Sequence, residues 1–269
     1  MSVHTRILCS AAVLATGLMF NAAQAQTAPA PAAVEIKPPE PPYTLTGNVG
    51  IFSQYIFRGL TQTDAKPAIQ GGFDFAHESG FYLGTWLSNI SWISDSGACN
   101  HGCSLEWDIY GGWKHTWNED WGLDVGVLQY YYPGSYNPGF SSANTTELYI
   151  AGSWKWLSLK FSDSVSNKTF GVPDSSGTWY LDLTATYPLT EQWNLIGHAG
   201  RQEYHGNNNG VDNGNLDYTD WKAGVSYTAT GNWTFGAFWS DTNANSSFYT
   251  IGGKNIGKST GTVYVQKTF

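Results

Sequence analysis

The residues of this chain that could do chemistry are few, and they fall at alternate positions. Glu106 and Asp108 sit between Leu105, Trp107 and Ile109, and Lys114 follows Trp113. Asp124 interrupts "WGLDVGV", Glu147 precedes Leu148, Lys155 lies between Trp154 and Trp156, and Lys160 separates Leu159 from Phe161. Asp182 stands between Leu181 and Leu183, His198 follows "WNLIG", and Asp220 and Lys222 flank Trp221. Arg58 and Asp74 complete the set, each beside a phenylalanine. Charged groups held on one face of apolar segments must be hydrated or paired. Their chemistry is therefore that of a wet lining, either a narrow pore or a lumen partly closed by ion pairs. Acids outnumber bases seven to five in this set once Lys155 is counted and His198 is taken as neutral, which argues for weak cation preference. Arg58, Asp74 and Asp108 have two readings of equal weight, as bridges between neighbouring strands or as parts of a selectivity filter.

The elements that carry these residues repeat with period two rather than 3.6, the mark of strands. Twelve candidate strands run from Tyr43 to Phe269. The first reads "TLTGNVGIFSQYIFR", with Leu45, Val49, Ile51, Tyr55 and Phe57 on one face and Arg58 on the other. Connections alternate in length. "HESG", "NED", "PLTEQ" and "TATGN" are short, and those between them are long and rich in Gly, Asn and Ser. Short turns at one end and long loops at the other, with an even strand count, describe an antiparallel up-and-down transmembrane β-barrel of about 12 strands. Trp117, Trp121, Tyr187, Trp193, Tyr227 and Trp233 flank the short turns, as an interfacial aromatic girdle would.

Composition agrees. Charged residues make up 13% of the chain and aromatic residues 16%, where a soluble domain carries about 25% charged. No apolar run beyond the amino terminus reaches the ~20 residues of a membrane helix. Residues 1–25, with Arg6, an apolar stretch to Phe20 and Ala23-Gln24-Ala25, read as a cleavable signal peptide. Residues 26–42, proline- and alanine-rich, read as an extended periplasmic linker, and residues 43–269 as the barrel. Both chain ends then lie on the periplasmic side. The expected partners are outer-membrane lipid, small polar solutes and, through Phe269 at the end of the last strand, the barrel-assembly machinery. The net charge of −8 and the lack of a basic patch exclude nucleic acid.

Cys99 and Cys103, in "CNHGC", are expected to form a local disulfide in an exported protein. A metal site of Cys99, His101 and Cys103 lacks a second ligand pair, and the Asn- and Asp-rich loop 207–217 lacks calcium-loop spacing. No cofactor is implied. A barrel-type lipid hydrolase needs a serine and a histidine together with a third group orienting the histidine. The sequence shows no Gly-x-Ser-x-Gly elbow and no histidine beside a serine on the lipid-facing rim. The alternatives to a passive channel are a non-conducting structural or adhesive barrel and, less favoured, such an outer-membrane lipid hydrolase.

One segment is distinctive. Tyr55-x-Phe57-Arg58-Gly59, then Gln62-Thr63, Pro67-Ala68 and Gln70-Gly71-Gly72-Phe73-Asp74, resembles the opening of the TorF-type porins, otherwise described as conserved bacterial proteins of unknown function (Gcw_chp). Glu106-x-Asp108-x-Tyr110, Tyr132-Pro133-Gly134, His198-x-Gly200 and Asp217-Tyr218-x-Asp220-Trp221-Lys222 fit the same family, and the resemblance extends over residues 45–269. Ile56 departs from it, standing where a polar residue is expected. The resemblance implies a barrel and an outer-membrane location, and leaves the solute open.

Overall fold

The computed structural model describes residues 41–117 and 120–269. The expected signal peptide and most of the expected linker lie outside the described residues. From Tyr43 onward the chain forms twelve long strands: β1 Tyr43–Phe52, β2 Ala68–His77, β3 Phe81–Asn89, β4 Leu105–Trp117, β5 Trp121–Tyr131 and β6 Thr145–Trp154. They continue as β7 Leu157–Ser164, β8 Trp179–Pro188, β9 Trp193–Glu203, β10 Tyr218–Ala229, β11 Trp233–Thr242 and β12 Thr260–Thr268. Each pairs antiparallel with its sequence neighbour, and β12 returns to β1 with Phe52 opposite Tyr264. The sheet is closed, so no strand edge is left with unpaired amides.

Alternation decides what faces where. Leu45, Ile51, Ile69, Phe73, Leu83, Leu148, Ile150, Leu183 and Val263 stand exposed on the outer face of the cylinder. The intervening Glu106, Glu147, Asp220, Ser240 and Thr262 are buried inside it. An oily exterior around a polar interior is the reverse of a water-soluble barrel and suits hydrocarbon surroundings. At the short-turn end Trp117 pairs with Trp121, Trp193 packs on Tyr227 with ring centroids 5.0 Å apart, and Trp156 packs on Tyr187 at 5.4 Å. Lys267 lies over the rings of Trp233 and Phe269, and the amide of Phe269 donates to Gly47 O at 2.8 Å, tying the end of the chain to β1.

The inner face is made habitable by glycine. Gly84 lies directly opposite Tyr110, Gly126 opposite Tyr149, and Gly236 opposite Tyr264. A Cβ at any of these glycines would run into the ring of its tyrosine. The tyrosine therefore lies flat over its glycine along the wall instead of standing into the lumen, a pairing that restores packing where glycine has no side chain.

The long connections form the only sizeable apolar core among the described residues. Tyr55, Ile90, Ile93, Ala98, Cys103, Tyr130, Tyr132 and Ala143 bury together at the long-loop end, with Leu60, Tyr218, Tyr249 and Ile256 as a second cluster. Cys99–His101 and Ser135–Tyr136 form a small ladder joining two of these loops, and Cys99 and Cys103 are disulfide-bonded.

The first strand is shorter than its sequence pattern. β1 ends at Phe52, and residues 53–67 turn into the lumen as a hairpin of Ile56–Phe57 and Leu60–Thr61. Tyr55 and Phe57, expected on the lipid face, are consequently interior. Arg58 and Gly59 form the tip, both with positive φ, 46° and 78°, the geometry of a type I′ turn. Lys155, expected on the inner face, stands instead in the two-residue turn before β7.

Candidate functional site: a lumen divided by a hairpin

The hairpin crosses the lumen and is held on its far side. Arg58 donates twice to Glu147 of β6, at 2.9 and 2.7 Å, and once to Gln202 Oε1 of β9, at 2.9 Å. Its guanidinium carbon lies 4.2 Å from the centroid of the Tyr180 ring. Arg58 and Glu147 side chains are 7% and 2% exposed, so this is a desolvated, two-pronged pair. Phe57 packs edge-on against Tyr130 and Phe170, at 5.6 and 5.7 Å. The return arm is tied to other loops, with Thr61 N–H donating to Ile256 O and Gln62 O accepting from Ser91 N–H. At the tip a Cβ on Gly59 would meet Asp220 and Thr242. Only glycine combines this close approach with that backbone. Of the two sequence readings for Arg58, the bridge between neighbouring strands does not hold, because Arg58 spans the lumen from a loop to Glu147 and Gln202.

Lys155 apart, the other expected lining residues face inward, and most are engaged. Asp74 accepts from Tyr110 Oη at 2.7 Å, and Asp124 accepts from Tyr82 Oη at 2.6 Å. Tyr82 Oη also touches Tyr149 Oη. Glu106 Oε1 accepts from Tyr55 Oη at 2.6 Å, while Glu106 Oε2 and Asp108 Oδ1 are buried without a partner. Asp220 accepts from Tyr180 Oη at 2.8 Å and lies 2.9 Å from His198 Nε2. Asp182 Oδ1 accepts from Thr184 Oγ1 at 2.6 Å and lies 3.4 Å from His198 Nδ1. An imidazole with a carboxylate on each side uses both ring nitrogens as donors. Lys114 and Lys160 lie over the rings of Tyr82 and Tyr149, at 5.5 and 3.9 Å, and Lys222 lies 5.3 Å from the centroid of Phe238. The expected lining set left out the tyrosines, Gln202 and Ser240, although Tyr82, Tyr110, Tyr149 and Ser240 fall on the polar face of their strands. The available signal was Tyr82, Tyr110, Tyr149 and Tyr180 recurring at the polar parity.

Two spaces result. Below the hairpin, a chamber of about 220 Å³ is lined by Arg58, Lys160, Asp182, His198, Lys222 and Ser240, among others. Above it, a recess of about 180 Å³ is lined by Trp92, Tyr132, Tyr204, Tyr218, Phe248 and Tyr249 with smaller apolar groups. Phe57 borders both. The arrangement can hold, sort or stop a small solute. In the chamber Thr184 Oγ1 also lies 3.1 Å from His198 Nδ1, with its own proton given to Asp182 Oδ1. His77 Nδ1 lies 2.7 Å from Ser79 Oγ at the outward rim of the first short turn, a histidine–serine pair the sequence reading did not anticipate. The same nitrogen accepts the Ser79 N–H, and no carboxylate meets His77 among the described residues. The contact closes a turn.

A family model described as a bacterial protein of unknown function (Gcw_chp) matches residues 37–269. The chain belongs to the Gcw_chp family. No curated protein matches it in sequence. Among solved structures, this Gcw_chp barrel is similar to the KdgM porin, with a TM-score of 0.51, 11% identity and coverage of 83% of this chain and 99% of that one. KdgM in complex with disordered oligogalacturonate gives 0.50 at 10% identity, covering 84% and 99%. The NanC porin gives 0.50 at 12% identity, again covering 84% and 99%. Likeness at such identity is likeness of fold: the Gcw_chp chain folds as outer-membrane porins fold.

Proposed function

We propose that the protein is an outer-membrane channel for passive diffusion of small polar solutes or ions. One observation carries this reading: a sealed cylinder whose outside is apolar all round encloses a polar chamber lined by ionisable side chains. The porin fold and the TorF-type sequence motifs around Arg58 support it. In this reading the short turns and both chain ends are periplasmic, residues 1–25 and 26–42 serve as export signal and tether, and Phe269 addresses the assembly machinery. Arg58, Asp74, Glu106, Asp108, Lys114, Asp124, Glu147, Lys160, Asp182, His198, Asp220 and Lys222 face the solute path, with the Arg58 hairpin as its narrowest point.

That hairpin also favours a second reading, a barrel that stays closed and serves structure or adhesion through its loops. Single-channel recording in planar bilayers separates the two. Folded protein should give discrete steps of small conductance. Silence from protein proven to be folded and inserted removes the channel reading and leaves the closed barrel.

A further inference from the structure

The charges of the chamber are not equally available. Arg58 is spent on Glu147 and Gln202. Both Asp220 oxygens are engaged, one by His198 and one by Tyr180. Asp182 is held through Oδ1 by Thr184 and His198, which leaves its second oxygen as the one carboxylate atom there without a partner in the described contacts. On the donor side, Lys160 and Lys222 line the chamber and make no hydrogen bond or ion pair among the described residues. Ser240 lies directly opposite Lys222 in the pairing of β10 with β11. It also lines the chamber, is 1% exposed, and its buried hydroxyl has no partner. Buried polar groups are almost always satisfied, so an unpartnered hydroxyl beside an unpartnered ammonium in a cavity points to something that fills it.

We infer that this chamber is a binding site for a small oxyanion, a carboxylate or inorganic phosphate, held by Lys222, Ser240 and Lys160. Two ammonium groups with three N–H donors each, and a hydroxyl, face a single free acceptor. A cation entering there meets two like charges and finds one free carboxylate oxygen, that of Asp182. An anion completes the donors at once, through charge-assisted hydrogen bonds. The head count of acids over bases is therefore a poor guide to what the lumen prefers, since the excess acid is consumed by tyrosines, His198 and Arg58. This site names the solute class for the channel proposed above and rests on that reading for the ligand's route of entry.

The test is equilibrium binding to the folded, detergent-solubilised full chain at constant ionic strength, with sodium acetate, sodium phosphate and tetramethylammonium chloride as probes. Saturable binding of acetate, phosphate or both, and none of tetramethylammonium, is expected. Acetate alone assigns the carboxylate source and phosphate alone the inorganic one. Lys222→Met should weaken binding about tenfold, the worth of one hydrogen bond to a charged group. Lys222→Arg should retain most of it, and Lys254→Met, on an outer loop, should change nothing. Binding that is indifferent to Lys160→Met and Lys222→Met combined overturns the assignment, as does binding of the cation or of neither oxyanion. The wild-type probe comparison decides even if the variants do not fold. Binding without conductance keeps this site and removes the channel. Conductance without binding does the opposite.

Discussion

Arg58 and Lys222 are both cations inside the same cylinder, yet they are held in opposite ways. Arg58 is clamped by a bidentate carboxylate, an amide and two aromatic rings, and it fixes a hairpin to the opposite wall. Lys222, a few residues deeper, touches no acceptor among the described residues and borders open space. Charge in the first place is architecture, because withdrawing either partner strands the other in a dry site. Charge in the second place is available to whatever enters. The hairpin layer and the chamber layer thus divide one lumen into a part whose charge is tied up in anchoring the hairpin and a part whose charge borders open space.

The largest effect expected from breaking this contrast is at Glu147. Glu147→Ala leaves Arg58 buried and unpaired. It should cost about 3–5 kcal/mol in reversible urea unfolding in lipid vesicles, with a rise in single-channel conductance as the hairpin loses its far anchor. Unchanged stability and conductance would show that Arg58 finds solvent and that the clamp is not structural. Next comes Tyr55→Phe, which removes the donor to Glu106 Oε1 and should cost about 1–3 kcal/mol in the same unfolding measurement, since a buried carboxylate oxygen loses its partner. Gly59→Ala, which forces a side chain onto Asp220 and Thr242 at positive φ, should cost about 1–2 kcal/mol and loosen the roof of the chamber. Amide exchange at the hairpin should quicken while the wall strands stay protected. Lys254→Ala is the lower limit of the series. It breaks the 2.6 Å contact with Asp64 in the loops, where Lys254 is 62% exposed, and an exposed pair of this kind should leave stability within experimental error.

The barrel was legible in the sequence because its two determinants are local. Alternation across each strand and the parity of loop lengths need no knowledge of what lies opposite. The direction faced by Glu106, Asp182 or Lys222 follows from the same rule. The departure at Phe52 was not legible in this way. Ser53 to Arg58 keeps a plausible strand pattern, and the chain leaves the wall there because Tyr55 finds Glu106, Arg58 finds Glu147 and Gln202, and Gln54 donates to Thr260 and Gly261. Those partners lie 51 to 207 residues away. The Arg58-Gly59 pair between Ile56-Phe57 and Leu60-Thr61 was the local hint of a turn. Which charges are free was likewise hidden, because a carboxylate's partner in this lumen is often a tyrosine, and tyrosines do not enter a tally of charge.

The tyrosines laid over Gly84, Gly126 and Gly236 have a consequence for how such a barrel can evolve. The bore is set by residues that possess no side chain. A methyl group added at one of these glycines would lift an aromatic ring off the wall and swing its hydroxyl toward the axis. The calibre of the tube can therefore be narrowed one step at a time by the smallest of substitutions, at positions that carry no charge and touch no solute themselves.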